Sequence, residues 1–196
     1  MVNLYLIEDS GKYIAFDGGT DPEMISDEIE KLNIEPELVV AIFLTHTDYD
    51  HAGGISLFTN ARVYFSRLDE QLLTGETSRM LFTGNEIDAD DYTLLEDRQI
   101  IKIGNLEIKG IHTPGHTPGS MCYLVNDKFL FTGDVLSLID GKIAGFNEIF
   151  NMDTEKAVES IEKITNLPEA EYIFTAHYGI SDNYKTAVKD WNEKID

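Results

Sequence analysis

The sequence predicts a mixed α/β protein, an αββα sandwich built from two similar halves, and three observations predict it. β-rich runs come in two series, each followed by a helical pattern. Two continuous apolar runs, residues 38–44 and Met121–Val125, are short enough to be strands buried on both faces. A chain of 196 residues suits one domain or two fused halves, and no low-complexity linker divides it, so residues 1–196 are expected to form a single domain.

The elements follow in order. Residues 3–7 and 12–16 are β-rich and flank Glu8-Asp9-Ser10-Gly11, a turn-forming set, which reads as a hairpin. Asp17-Gly18-Gly19-Thr20 ends the second strand, and Asp21-Pro22 opens a helix to about residue 32, with proline early and acids in the first turn. The strand at 38–44 ends in a dense polar cluster, after which a short helix over 54–58 and a strand over 61–65 are expected. Residues 67–98 carry many acids and few clear periods, and read as a short helix plus an exposed, lid-like excursion. Strands are expected at Ile100–Ile103, 106–111, Met121–Val125 and 128–132, with turns at Gly104-Asn105 and Asn126-Asp127. A helix over Thr154–Thr165, a strand over Tyr172–Thr175 and a helix over 183–194 complete a repeated order of β-meander and helix.

With 42% hydrophobic and 26% charged residues the composition is that of a folded globular protein. A formal net charge of −21 repels phosphate backbones and anionic lipid, which argues against nucleic acid and membrane surfaces as partners and for a small-molecule substrate. No apolar run approaches the roughly 20 residues that span a bilayer, the first residues lack the basic head of a signal peptide, and a single cysteine fits a reducing compartment, so a cytoplasmic protein is expected. Cys122 lies inside an apolar run and reads as a core thiol, not a nucleophile.

The chemistry lies where the histidines fall. Of five, His46 and His51 bracket His46-Thr47-Asp48-Tyr49-Asp50-His51 just past a buried strand, His116 sits in Thr113-Pro114-Gly115-His116-Thr117-Pro118-Gly119, and His177 follows the strand Tyr172–Thr175. Asp134 occupies a further strand end. Loops held by rigid strands can place side chains to the tolerances that metals require. Imidazole and carboxylate together suit Zn²⁺, Fe or Mn, and one carboxylate can bridge two ions about 3.5–4 Å apart. Singly, each residue is an ordinary polar loop residue, Asp50 a reasonable N-cap. Jointly, four histidines and three aspartates at strand ends point to a two-metal site.

Thr45-His46-Thr47-Asp48-Tyr49-Asp50-His51-Ala52-Gly53-Gly54 resembles the metal motif of the metallo-β-lactamase superfamily, with Asp48 where the family has its second histidine. The likeness covers nearly the whole chain, and the run from His112 to Ser120 is similar to glyoxalase II and its relatives. It implies one metal position served by His46, Asp48, His116 and a bridging Asp134, and another served by Asp50, His51, His177 and Asp134. Two divalent ions would then be the cofactors, zinc first, with iron or manganese as alternatives because an added carboxylate hardens the site. The implied activity is hydrolysis of an ester, thioester or lactone, with Asp50 orienting the water and taking its proton. Because the chain ends 19 residues after His177, the helical glutathione-binding domain of glyoxalase II is expected to be lacking. The alternative is a diiron protein that binds or reduces O₂, since the related flavodiiron proteins carry a carboxylate at the position of Asp48.

Beside the ligands, Asp17 resembles the aspartate that braces the metal-motif loop, and His112 reads as a structural histidine holding the loop to His116. Gly53 and Gly54 are expected to let the backbone pass close by at the motif's end. Tyr49, Phe146, Phe150 and Tyr178 are candidates for an apolar substrate wall, and Lys142 for a contact to a substrate carboxylate, against core packing for the aromatics and a hairpin tip for the lysine.

Overall fold

The structure, a computed structural model, describes residues 2–79, 85–167 and 170–192. The chain divides into two compact units, residues 1–95 and 96–196. In the first, β1 (Tyr5–Asp9) and β2 (Lys12–Phe16) form the expected hairpin. Helix α1 (Pro22–Lys31) follows, and Asp21 caps it, its Oδ1 accepting from the amides of Glu23 and Met24 at 2.8 and 3.2 Å. Such a cap stabilises a helix by about 1 kcal/mol, and Pro22 at the first turn has no amide to leave unsatisfied.

Next come β3 (Val39–Phe43), α2 (Tyr49–Ala52), β4 (Arg62–Ser66), α3 (Glu70–Leu73) and β5 (Tyr92–Leu95). The five strands lie in the order β1-β2-β3-β4-β5, antiparallel only between β1 and β2. The repeated-meander expectation therefore fails here. Parallel neighbours need a crossover, and α1, α2 and α3 supply one after each strand from β2 on. The excursion at 67–98 holds the short helix expected of it but also β5, the sheet's edge; residues 80–84 of it lie outside the described residues. The helix expected at 54–58 begins earlier, as α2, and 55–57 form only a 3₁₀ turn.

The second unit contains the expected meander, β6 (Ile100–Ile103), β7 (Leu106–His112), β8 (Met121–Val125) and β9 (Phe129–Gly133). A hairpin follows, β10 (Leu136–Ile139) and β11 (Lys142–Gly145), turning at Asp140-Gly141, which is the hairpin-tip setting weighed for Lys142. Then come α4 (Thr154–Thr165), β12 (Tyr172–Thr175), β13 (Ile180–Ser181) and α5 (Tyr184–Asn192); residues 193 and 194 of the predicted last helix lie outside the described residues. The six-stranded sheet has the order β13-β12-β9-β8-β7-β6, with β12 parallel to β9. At the turn after β8, Asn126 and Asp127 both take positive φ, 49° and 52°, a backbone that asparagine and aspartate tolerate best among residues with a Cβ.

Each unit has its own core. Val39, Ile42, Leu44, Val63 and Phe65 lead the first, Cys122, Leu124, Leu130, Ile161 and Ile173 the second. The thiol of Cys122 is thus a core group within a fully buried strand. Helix α4 turns Ala157, Ser160, Ile161 and Ile164 inward, a spacing that repeats on one helix face. Among the described residues no helix is long and apolar enough to cross a membrane.

Candidate metal centre

In the first unit two carboxylates tie down the loop after β3. Asp17, past the end of β2, sits at φ 60° and is buried; its amide donates to the carbonyl of Phe43 at 3.0 Å. Its Oδ1 accepts from the amide and hydroxyl of Thr45 at 2.8 and 2.9 Å, and its Oδ2 lies 2.9 Å from Nδ1 of His51. The aspartate thus places the His51 proton on Nδ1 and leaves the lone pair on Nε2, the form that binds a metal. Because the Thr45 hydroxyl donates to Asp17, it accepts from Nδ1 of His46, 3.1 Å away, and fixes the same tautomer there.

The second carboxylate, Asp69, is fully buried in the 3₁₀ turn that follows β4. Its Oδ2 accepts from the amide and hydroxyl of Thr47 at 2.7 and 2.8 Å. Asn85 bridges onward, its Nδ2 3.0 Å from both Thr47 Oγ1 and Asp48 Oδ1. The other oxygen of Asp48 lies 2.7 Å from Nη2 of Arg79 and 3.5 Å from Nε2 of His46. Asp69, Arg79 and Asn85 escaped the sequence reading because all three fall in the acid-rich tract taken as a solvated excursion. The one available signal was that Asp69 lies three residues past the end of β4, as His46 does past the end of β3.

Helix α2 carries the rest of the motif. Asp50 sits within it and not at its cap; the cap position belongs to Asp48, whose side chain makes no capping bond. Asp50 Oδ2 is 3.8 Å from Nε2 of His51, on a side chain 43% exposed. The glycines after the helix pass close to the Gly18–Thr20 loop: a Cβ on Gly54 would lie 2.1 Å from Ile25 Cδ1 and 2.4 Å from the carbonyl of Gly18. Tyr49 projects from this helix, 67% exposed.

In the second unit His116 is held by its loop and by α4. His112 binds the carbonyl of Pro118 through Nε2 at 2.9 Å, which spans the loop. Its own amide donates to Asp97, and Lys163 from α4 reaches both Asp97 and the His112 carbonyl. Burial raises the pKa of Asp97, but the His112 amide and the Lys163 ammonium outweigh it and hold the carboxyl below its ordinary value. Gly115, at φ 139°, lies against α4, where a Cβ would come within 2.4 Å of the Ala157 backbone nitrogen. Asp134, just after β9, turns Oδ2 to Nε2 of His116 at 3.5 Å and Oδ1 to Nε2 of His177 at 3.4 Å.

These separations test whether a metal fits. Two ligands about 2.1 Å from a tetrahedral ion lie about 3.4 Å apart, whereas a strong N–H···O bond draws its atoms to about 2.9 Å. His46–Asp48, His116–Asp134 and His177–Asp134, at 3.5, 3.5 and 3.4 Å, match the ligand spacing. All seven residues offer donor atoms able to hold a metal ion. Beside them Phe146 meets the His116 ring edge-on at 5.1 Å and lies 6.1 Å from that of His177, with Tyr178 and Phe150 packed on it. Lys142 pairs with Asp190 of α5, so its ammonium already serves a carboxylate of the chain.

The sequence profile of the metallo-beta-lactamase superfamily matches residues 1–177. The chain belongs to that superfamily. Among its metallo-beta-lactamase relatives, the hydroxyacylglutathione hydrolase of Pectobacterium atrosepticum is 30% identical over 177 residues, covering 90% of this chain and 62% of its own. The probable polyketide biosynthesis zinc-dependent hydrolase PksB of Bacillus subtilis is 31% identical over 165 residues, covering 82% of this chain and 65% of its own. This chain therefore spans less than two thirds of either relative. A metallo-beta-lactamase family protein of Thermus thermophilus, TTHA1429, superposes with a TM-score of 0.71 at 16% identity, over 99% of this chain and 74% of that one. The αββα class expected from the element order is the fold of this superfamily.

Proposed function

We propose that the chain is a metal-dependent hydrolase acting on an ester, thioester or lactone of small-molecule size. The observation that carries this reading is Asp134, which offers one oxygen to each of two imidazoles, as a carboxylate shared between two ions would. His46, Asp48 and His116 with Asp134 would hold one ion, and Asp50, His51 and His177 with Asp134 the other. Bound divalent ions, zinc in the first instance, supply polarisation of the substrate carbonyl and ionisation of water near neutral pH. The relative PksB is named a probable zinc-dependent hydrolase and the Pectobacterium relative a hydroxyacylglutathione hydrolase, and both names support metal-dependent hydrolysis here.

The protein's own groups do the rest. Asp50, at the accessible side of its imidazole neighbour, orients the attacking water, accepts its proton and returns it to the leaving group. Asp17 and the Thr45 hydroxyl keep His51 and His46 in the metal-binding tautomer. Phe146 and Tyr178 form an apolar wall that excludes water beside His116 and His177. The diiron reading draws on Asp48 alone, a donor that the hydrolase reading uses equally, so no observation favours oxygen chemistry over hydrolysis.

The test is chelator-stripped protein, reloaded with zinc and assayed on a panel of thioesters, esters and lactones. Turnover should return with metal and rise with pH through one apparent pKa near 7. Asp134→Ala should lose both metal and turnover. Full metal content in that variant, or a fully loaded wild type inert on the whole panel, would overturn the proposal.

A further inference from the structure

Both oxygens of Asp48 are engaged by the chain itself, Oδ2 by the Arg79 guanidinium and Oδ1 by the Asn85 amide. Asp48 and Arg79 are each only 15% exposed, so solvent screens their pair weakly. Asn85 is tied in turn to Thr47, and Thr47 to the buried Asp69, which fixes the carboxylate's direction. The neighbouring motif carboxylate is in a different situation: Asp50 is more exposed and faces His51. The chain thus sets a permanent cation against one of its metal-donor carboxylates.

We propose that Arg79 makes the two metal positions unequal, so that an ion served by Asp48 binds more weakly than an ion served by Asp50 and His51. The inference rests on the two-ion reading above and goes beyond it. An incoming ion at Asp48 must share Oδ2 with the guanidinium or displace it, and in either case two cations meet at one poorly screened carboxylate. Arginine keeps its charge at any working pH, so this competition is built in. A histidine at position 48 would present no anion for a guanidinium to hold. The Asp48–Arg79 pair therefore returns this position to the net charge of a neutral ligand while lowering its availability to metal.

The experiment is zinc titration of chelator-stripped protein against a chromophoric competitor, with ions per chain counted by native mass spectrometry. Wild type should take up one equivalent tightly and a second more weakly. Arg79→Gln should tighten the second step by about tenfold and leave the first unchanged, the unchanged step also showing that the variant is folded. Arg79→Lys, which keeps the charge, should stay near wild type. Two indistinguishable steps in wild type, or a second step in Arg79→Gln that is unmoved or weakened, would overturn the inference and leave the hydrolase reading intact. No zinc uptake at all would instead remove the hydrolase reading.

Discussion

Asp69 touches none of the metal-donor residues and yet holds the loop that carries two of them, through Thr47. It takes two hydrogen bonds from Thr47, between His46 and Asp48, in a fully buried setting. Asp69→Ala would leave the Thr47 amide and hydroxyl without that acceptor, at a cost of about 3 kcal/mol given roughly 1.5 kcal/mol for each bond to a charged group. The midpoint of denaturant unfolding should fall accordingly, with an unchanged slope. Asp69→Asn keeps one acceptor oxygen and should lose about half as much. A midpoint unchanged in Asp69→Ala would mean that the loop is held by other contacts. The donors themselves were legible in the sequence because histidine and aspartate clustered past strand ends announce their chemistry. Asp69, Asn85 and Arg79 were not, since each acquires its role only from the contact it makes.

At the scale of elements, legibility followed length and apolar continuity. The strands β3 and β8 are continuous apolar runs, and both were located from sequence; β5, four residues beside the acidic stretch of 86–91, was not, and of the β10–β11 hairpin, with Ser137 inside it, only the tip beside Lys142 was weighed. Helix α2 defeated the reading because Tyr-Asp-His is a poor helix sequence, and its turn is held instead by contacts such as Gly18 N–H to the His51 carbonyl at 2.6 Å. One junction between elements makes a pH prediction. Asp97 links β7 to α4 through the His112 amide and Lys163, and its pKa is lowered in the folded state. A group with a depressed folded pKa contributes stability above its unfolded pKa and loses it as pH falls through the folded one. The contribution should therefore be complete above about pH 5 and fade below pH 4. Asp97→Asn should make the acid limb of the stability curve shallower by about 1 kcal/mol or less, since Asp97 is 41% exposed and solvent screens the pair. An acid limb identical to wild type would detach Asp97 from this role.

Over the whole molecule the dominant quantity is the charge of −21. Within the first unit Asp48 and Asp50, two residues apart, add local repulsion that divalent cations would offset. A ligand that binds only the folded state stabilises it by about 4 kcal/mol at a thousandfold excess over its dissociation constant, and a chain of this size shifts its melting temperature by roughly 2–4 °C per kcal/mol. Removing metal should therefore lower the melting temperature by about 10 °C. Salt separates the two contributions to that loss. Raising the ionic strength of the chelated protein from about 0.01 to 0.15 M shortens the screening length from about 30 to 8 Å, which relieves repulsion among exposed acids but supplies no coordinate bonds. The melting temperature of the metal-free protein should then recover by a few degrees and stop short of the metal-bound value. Calorimetry of both forms across that range decides the matter: full recovery by salt would make the metals mere counterions, and no recovery would place the whole loss in the ligand bonds.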